Sequence, residues 1–346
     1  MPSLLRRAAA LALCGLVLYG VAPALAEVLG AWPKVRHLDP WWLAAMLLAQ
    51  VASVACLWHL QALSVGTRDH VAIGTSQLAG GALGRVIPGG AATAAAAQYG
   101  MLATAAAVPR GTIATGLAAA TVLQVAGLCV LPILALPAIA LGLHVPRTLL
   151  EVAVLGIGLF AAMLALDAGM ARSERTLRWC ARAARAVSRR LPGVPTLPED
   201  LPDRVVAHRD EVRRRLGDRL PSAAGAAVGR WLFDLLTLMA AVIAVGGHPS
   251  IALVLLAYVA AQLLAQIPIT PGGIGVVEAG LAATLVLAGV GGADAAVATL
   301  AYRLASYWLM LPAGLAAWVV HRRRLAVSGT AGRDEQDAPE GDAAAL

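Results

Sequence analysis

The sequence predicts an all-α polytopic integral membrane protein with about eight transmembrane helices, and three observations support that fold class. Hydrophobic residues make up 59% of the 346-residue chain, and charged residues only 14%. The mean hydropathy is +0.75, a value that no soluble domain of this size would tolerate. Most lysine and arginine residues lie in the loops between apolar runs, so the net charge of +7 indicates membrane orientation rather than a nucleic-acid partner.

The first thirty residues allow two interpretations. Arg6 and Arg7 precede an apolar run, and the small residues around 24–26 resemble the cleavage site of a signal peptide. A first transmembrane helix over about 8–29 is favoured over a cleaved signal peptide, because the run reaches bilayer length and more spans follow. A second span over 41–63 opens with two tryptophans, which prefer the membrane interface.

Residues 71–107 are predicted to form a re-entrant hairpin or a pair of short broken helices. The two apolar runs, 71–86 and 91–107, would each be about 25 Å long as helices, whereas a crossing needs roughly 20 residues. Proline and glycine interrupt the chain between them, at membrane depth. The residues at this break are Arg85, Pro88, Gly89 and Gly90.

The middle of the chain is predicted to contain spans at 112–143 and 148–167, followed by a polar insert at 171–222. Six arginines of the insert, spaced three and four apart, form one stripe of a helix at 171–191 and oppose an apolar stripe. Such a basic amphipathic helix is typical of segments that lie on the anionic lipids of the inner leaflet. Its apolar face could instead pack on the protein's own spans. The six residues are Arg172, Arg175, Arg178, Arg182, Arg185 and Arg189.

A second break in the apolar sequence, within a broken or re-entrant region at 266–290, is the stretch around which the chain is organised. Thr270 is a good N-cap and Pro271 suits a first helical position, so a helix start is expected inside or at the edge of the bilayer. The free amides of such a start, at Gly272 and Gly273, would suit a phosphate or carboxylate. Glu278 adds an ionisable group at a depth where such groups are usually functional.

The two breaks resemble each other, with Ile-Pro-Gly-Gly at 87–90 set against Thr-Pro-Gly-Gly at 270–273. Gly- and Pro-interrupted apolar segments at corresponding places in two halves are typical of the midplane site of a transporter. A chance recurrence in Ala- and Gly-rich sequence is the alternative.

The remaining spans are predicted at 223–245, 250–267, 274–290 and 293–320, and three of the charges within them stand out. Arg230 and Asp234 are four residues apart on one helix face, so they are expected to pair with each other rather than to serve transport. Arg303 lies about ten residues into the last run, where a central charge is costly. The arginines place the N-terminus, the 171–222 insert and the C-terminus in the cytoplasm.

The stretch from Pro271 to Glu278, with the Gly-Val pair at 289–290 and the aromatic residues around Arg303, resembles the signature of the lysylphosphatidylglycerol synthase transmembrane, or flippase-like, family. The resemblance covers about residues 10–325. It implies a membrane protein of about eight spans that moves or handles lipid head groups between leaflets. Two departures limit it: the aminoacyl-transferase domain of full-length synthases is missing, and the first break lacks the polar and acidic residues expected beside it.

Two domains follow from this reading: a flippase-like transmembrane domain at 1–325 and a disordered cytoplasmic tail at 326–346. The leading functional hypothesis is translocation or handling of a phospholipid or polyprenyl-phosphate lipid in the cytoplasmic membrane, with Glu278 contacting a cationic head group or carrying a coupling proton. Alternatives are an enzyme or accessory subunit for polyprenyl-phosphate-linked glycans or envelope lipids, and a scaffold that recruits a cytosolic partner. The predicted head-group site comprises Arg85, Gly89, Gly90, Thr270, Gly272, Gly273, Glu278 and Arg303.

No catalytic residue, cofactor or metal site is predicted. Paired carboxylates or an activated nucleophile, which a membrane enzyme needs, are not evident. Cys14, Cys56, Cys129 and Cys180 have neither metal nor disulfide spacing and are interpreted as structural. The expected partners are a membrane lipid and the anionic inner leaflet, with no nucleic acid, and a homo-oligomer is left open.

Overall fold

The computed structural model describes residues 39–87, 90–105, 108–142, 145–151, 216–265 and 275–336, with isolated positions between 154 and 214. Every regular element within these ranges is a helix, which confirms the all-α class. In chain order the helices are α1 (Pro40–Val65), α2 (His70–Val86), α3 (Gly90–Ala105), α4 (Arg110–Val130), α5 (Leu136–Ala140), α6 (Leu220–Ala244), α7 (Ile251–Ala265), α8 (Val276–Leu287), α9 (Gly292–Arg303) and α10 (Met310–Gln336).

Four helices in the described part of the chain are long and apolar enough to cross a membrane. They span Pro40–Val65, Arg110–Ala140, Leu220–Ala244 and Gly292–Leu325, and α7 and α8 are shorter apolar helices. The protein is therefore a multi-pass membrane protein. The predicted span at 8–29, and half of the residues of that at 148–167, lie outside the described residues, so the total of eight stays a prediction.

The first predicted break is confirmed. Helices α2 and α3 have 17 and 16 residues, and they pack against each other on either side of an interruption at 87–90. Glycine permits the close approach: a Cβ on Gly84 would lie 2.6 Å from the backbone oxygen of Gly90 and 2.7 Å from Cβ of Ala94. Small residues at such contacts let membrane helices approach closely. Gly89 lies outside the described residues.

The second predicted break separates α7 from α8, but its helix start differs from the expected one. Helix α8 begins at Val276, with Gly275 in a left-handed conformation (φ 82°) as its N-cap. The expected cap Thr270, together with Gly272 and Gly273, lies in 266–274, outside the described residues. Glu278 consequently occupies the first turn of α8, where a carboxylate can cap free amides.

Helix α6 lies at the centre of the described bundle, packed against α1, α4 and α9. Its buried face is made largely of alanine and leucine, with Trp231 and Asp234 among them. Helix α10 packs on α2 through Gly314, where an added Cβ would lie 2.6 Å from the backbone oxygen of Leu78. Helices α7 and α8, and then α8 and α9, pack in sequence. These contacts enclose a space between α1, α2, α6 and α9.

The last span contains a π-helical turn over Leu304–Trp308, where the amide of Leu309 donates to the carbonyl of Leu304 over 3.0 Å. Pro312 has no amide to donate to Trp308, four residues earlier, so the ladder is interrupted at this point. Helix α10 then continues to Gln336. The helix thus includes residues 326–336, which lack proline and include good helix formers such as alanine, arginine and glutamate.

Helix α4 meets α1 at Gly116, and the contact predicts a stability effect. A Cβ there would lie 2.6 Å from Cα of Val65 and 2.7 Å from the oxygen of Ser64, both backbone atoms that cannot move alone. Gly116→Ala should therefore destabilise the protein by about 1–3 kcal/mol. The measurement is thermal unfolding of the purified protein in detergent.

The matched control is Gly100→Ala in α3, where an added Cβ would have no atom within 4 Å. In a helix interior that change should be neutral or stabilise by up to about 1 kcal/mol. Equal melting temperatures for the two variants would contradict close packing of α1 on α4.

Candidate functional site

A cavity of about 150 Å³ lies between α1, α2, α6, α7, α9 and the π turn. Two of its charged groups lie well inside the long spans. Asp234 is about 21 Å along α6, and Arg303 is about 17 Å along the span Gly292–Leu325, at 1.5 Å per residue. Asp234 therefore lies near the middle of its helix, and Arg303 lies about a third of the way along a span that is longer than the roughly 30 Å hydrocarbon core of a bilayer. The cavity has room for several waters or a small polar group.

Three arginines, Arg85, Arg230 and Arg303, line the cavity from three separate helices. The guanidinium of Arg230 stacks on the ring of Trp231, with Cζ 3.9 Å from the ring centroid. Its Nη1 is buried and has no hydrogen-bond partner within the described residues. A buried donor without a partner is costly, and Arg230, which carries this cost, is part of the cavity wall.

The other two arginines share one aromatic ring. Cζ of Arg303 lies 4.3 Å, and Cζ of Arg85 5.4 Å, from the ring centroid of Tyr307. Attraction to the ring helps to hold two like charges close together. Arg85 also donates to the carbonyl of Ser306 over 3.4 Å, and the Tyr307 hydroxyl donates to the carbonyl of Arg85 over 3.1 Å.

The π turn explains why these groups meet. Ser306 and Tyr307 both belong to it, so the widened helix supplies a carbonyl and a ring to Arg85 at the end of α2. Single π turns inside α-helices are frequent at functional sites. The turn therefore connects the first break in the chain to the last span.

Glu278 is held from two sides. Its Oε1 accepts from Nε of Arg303 over 2.6 Å, and its Oε2 accepts from the amide of Gly275 over 2.7 Å. The side chains are only 11% and 14% exposed for Arg303 and Glu278, respectively. The carboxylate thus links the start of α8 to the end of α9 and fixes the position of the Arg303 guanidinium.

Asp234 does not pair with Arg230, contrary to the prediction from their spacing. Its Oδ2 accepts from the hydroxyls of Tyr258 over 2.6 Å and Tyr302 over 2.7 Å, and from Nε2 of Gln262 over 3.2 Å. Gln262 also donates to the Tyr302 hydroxyl over 3.0 Å. Because α7 and α9 supply these donors, the carboxylate is stabilised by other helices and the guanidinium of Arg230 is left facing the cavity.

Further polar residues line the wall on α1 and α2. Ser53 donates to the carbonyl of Arg230 over 2.8 Å. The amide oxygen of Gln50 accepts from Thr237 over 3.4 Å, and that of Gln77 accepts from the indole of Trp58 over 3.1 Å. Sequence reasoning missed these residues, although Gln50 and Ser53 are three apart in an apolar helix and so share a face.

Of the predicted site residues, the structure brings Arg85 and Arg303 to the cavity, with Glu278 directly behind Arg303. Gly90 begins α3 with φ 42° and is not among the lining residues. Arg230, Asp234 and Tyr307 are lining residues that the predicted site did not include. Gly89, Thr270, Gly272 and Gly273 lie outside the described residues.

The charge balance of the site favours an anion. Three guanidiniums face or border the cavity, against two carboxylates, Asp234 and Glu278, each of which is held by donors. The undescribed stretch 266–274 between α7 and α8 has no ionisable side chain to change that balance. Among the described residues no three His, Cys, Asp or Glu side chains gather as metal ligands. The arrangement can bind a phosphate or a carboxylate.

Outside the cavity, the basic segment is described at isolated positions only. Arg175, Arg178 and Arg182 are helical and exposed there. Arg178 lies 3.5 Å from Asp203, and Arg185 lies 3.4 Å from Glu199. The stripe is therefore partly neutralised by the acidic residues that follow it, and its contact with anionic lipid stays a prediction.

Comparison with known proteins supports the resemblance read from the sequence. No curated protein and no solved structure matches the chain. The family model described as the lysylphosphatidylglycerol synthase TM region matches residues 7–314. That range includes every residue that lines the cavity. The chain belongs to the lysylphosphatidylglycerol synthase transmembrane-region family.

Proposed function

We propose that this protein binds the phosphate of a lipid head group in the arginine-lined cavity and carries the lipid between the leaflets of the cytoplasmic membrane. The observation that carries the proposal is the convergence of Arg85, Arg230 and Arg303 on one cavity near the middle of the membrane-spanning helices. A charge at that depth costs about 2.5–3.5 kcal/mol on insertion scales, so a bound anion would offset part of the cost.

The depth of the cavity supports transport rather than storage or sensing. Lipid head groups rest at the membrane interface, and a head-group site near the middle of the bilayer is of use to a lipid in transit. Broken helices near the midplane are also the usual builders of transporter sites. Here the cavity receives Arg85 from the end of α2, next to the first break, and Val277 from the start of α8, next to the second.

The residues around the cavity have separable roles in this proposal. Arg230 receives the phosphate, and Arg85 and Arg303 add charge from two other helices. Glu278 is a positioning residue, because it holds Arg303 and the start of α8 together. Asp234 orients Tyr258, Tyr302 and Gln262, so it sets the shape of the wall.

Catalysis is the weaker candidate. Asp234 accepts three hydrogen bonds and Glu278 accepts two. A carboxylate stabilised in this way is a poor nucleophile or base, because its donors must be given up before it can react. We therefore propose a non-enzymatic role. The proposal assigns no cofactor.

We further propose that the N-terminus, the 171–222 insert and the C-terminus face the cytoplasm, where the arginine-rich insert lies against anionic lipid. The arginine distribution motivates both statements. In a cysteine-free background, a cysteine at Arg185 should resist an impermeant thiol reagent in intact cells and react once the membrane is opened. Strong labelling in intact cells would place the insert outside the cell and contradict the proposed orientation.

Substitution of Arg230 tests the transport proposal. Reconstituted protein should move a fluorescent phospholipid between the leaflets of vesicles, and Arg230→Gln should slow that movement by about ten- to hundredfold. The estimate follows from a charge-assisted hydrogen bond of about 1.5–3 kcal/mol, with about 1.4 kcal/mol per factor of ten. Within the described residues Arg230 stacks on Trp231 and forms no ion pair, so the variant should keep near-normal thermal stability.

The control is Arg110→Gln, which removes an exposed arginine at the start of α4, away from the cavity. It should move lipid at the wild-type rate. If Arg230→Gln and the wild-type protein move lipid at equal rates and are equally stable, the cavity is not part of the transport path.

A further inference from the structure

The helices around the cavity form two groups by their packing. Helix α2 packs against α3 and against α10. A Cβ added at Gly80 would lie 2.7 Å from the backbone oxygen of Ala94 in α3, and one at Gly314 in α10 would lie 2.6 Å from that of Leu78 in α2. We call these three closely packed helices the first helix group. The second helix group contains α1, α4, α6, α7, α8 and α9, because α6 packs against α1, α4 and α9, and α8 packs against α7 and α9.

The cavity lies between the two groups, and both groups supply arginines to it. Arg85 belongs to the first helix group, since it lies in the last turn of α2. Arg230 of α6 and Arg303 of α9 belong to the second helix group. An anion that meets all three charges therefore contacts both groups, and its affinity depends on how the groups are held together at this point.

The last span joins the two groups, and its π turn lies at the junction. Helix α9 packs against α6 and α8 in the second helix group, whereas α10 packs on α2 in the first. The turn Leu304–Trp308 connects them. Tyr307 lies in this turn, is only 5% exposed and lines the cavity. Its position thus allows it to contact residues of both groups.

Tyr307 contacts one arginine from each group. Its ring centroid lies 4.3 Å from Cζ of Arg303 and 5.4 Å from Cζ of Arg85. Its hydroxyl donates to the carbonyl of Arg85 over 3.1 Å, which is one of the last four carbonyls of α2 and so has no donor within the helix. The ring therefore holds two guanidiniums that would otherwise repel each other, and the hydroxyl holds the end of α2.

We propose that Tyr307 is the positioning residue of the head-group site. Its ring makes Arg85 and Arg303 one binding unit for a phosphate, and its hydroxyl fixes the end of α2 against the last span. The inference rests on the proposed function, because it assigns a role at the same cavity. It separates the two parts of the side chain: the ring sets the affinity for the anion, and the hydroxyl contributes to stability.

Isothermal titration calorimetry of the purified full-length protein with short-chain phosphatidylglycerol tests the role of the ring. Tyr307→Leu should raise the Kd by about tenfold, because two cation–π contacts are lost and the like charges can separate. Tyr307→Phe keeps the ring, so its Kd should stay within about threefold of the wild-type value. Its melting temperature should fall by a few degrees, because the carbonyl of Arg85 loses its donor. Tyr307→Met, which also lacks a ring, replaces Tyr307→Leu if that variant does not fold.

A double-mutant cycle with Arg85→Gln distinguishes joint holding of the arginines from general damage to the fold. If the ring holds Arg85 and Arg303 as one unit, Tyr307→Leu should weaken phosphatidylglycerol binding much less in the Arg85→Gln protein than in the wild-type protein. Equal weakening in the two backgrounds would show that Tyr307 and Arg85 act independently, and it would contradict the inference.

The outcomes separate this inference from the proposed function. A wild-type Kd in Tyr307→Leu would overturn the positioning role and leave head-group binding in place. An equal loss of affinity in Tyr307→Phe and Tyr307→Leu would also overturn it, because the hydroxyl would then be the group that matters. Inorganic phosphate should bind more weakly than phosphatidylglycerol, and equally tight binding would contradict a lipid ligand. Failure of phosphatidylglycerol to bind the wild-type protein would overturn the proposed function and the inference together.

Discussion

The burial of three guanidiniums near the middle of a membrane protein is the constraint on which the rest of the structure depends. Each of Arg85, Arg230 and Arg303 would be too costly in hydrocarbon, so each requires a protein wall that shields it from lipid. The walls come from α2 beside the first break, from the central helix α6 and from the last span with its π turn. The helix breaks and the helix packing therefore both serve to shield these charges from lipid.

Aromatic and carboxylate groups divide the task of holding these charges. The ring of Tyr307 makes cation–π contacts with two of the guanidiniums, and the ring of Trp231 makes one with the third. Glu278 neutralises Arg303, whereas Asp234 is turned away from Arg230 by two tyrosines from other helices. The cavity is consequently left with more positive charge than its acids offset. Fixed side chains with an excess of positive charge are suited to binding an anion rather than to pairing only with one another.

Local chemistry in the sequence predicted much of this structure. Apolar run lengths, with proline and glycine between them, correctly indicated a membrane protein and a broken helix pair around 87–90, because those residues act on their own backbone. Arg85 and Arg303 were found because charges in apolar runs are conspicuous. The pairing of Arg230 with Asp234 failed because it rested on spacing alone. The actual partners of Asp234, Tyr258 and Tyr302, lie 24 and 68 residues away in the chain. Tertiary packing decides which helices bring tyrosines to a carboxylate, and such packing leaves no local signal in the sequence.

The most direct measurement is a structure of the protein in nanodiscs that contain phosphatidylglycerol. If the cavity is the head-group site, density for a phosphate should lie within hydrogen-bond distance of the guanidinium of Arg230 and close to Arg85 and Arg303, with the acyl chains leaving toward the bilayer. A cavity filled by protein side chains or by an acyl chain, with every head group at the interface, would contradict it.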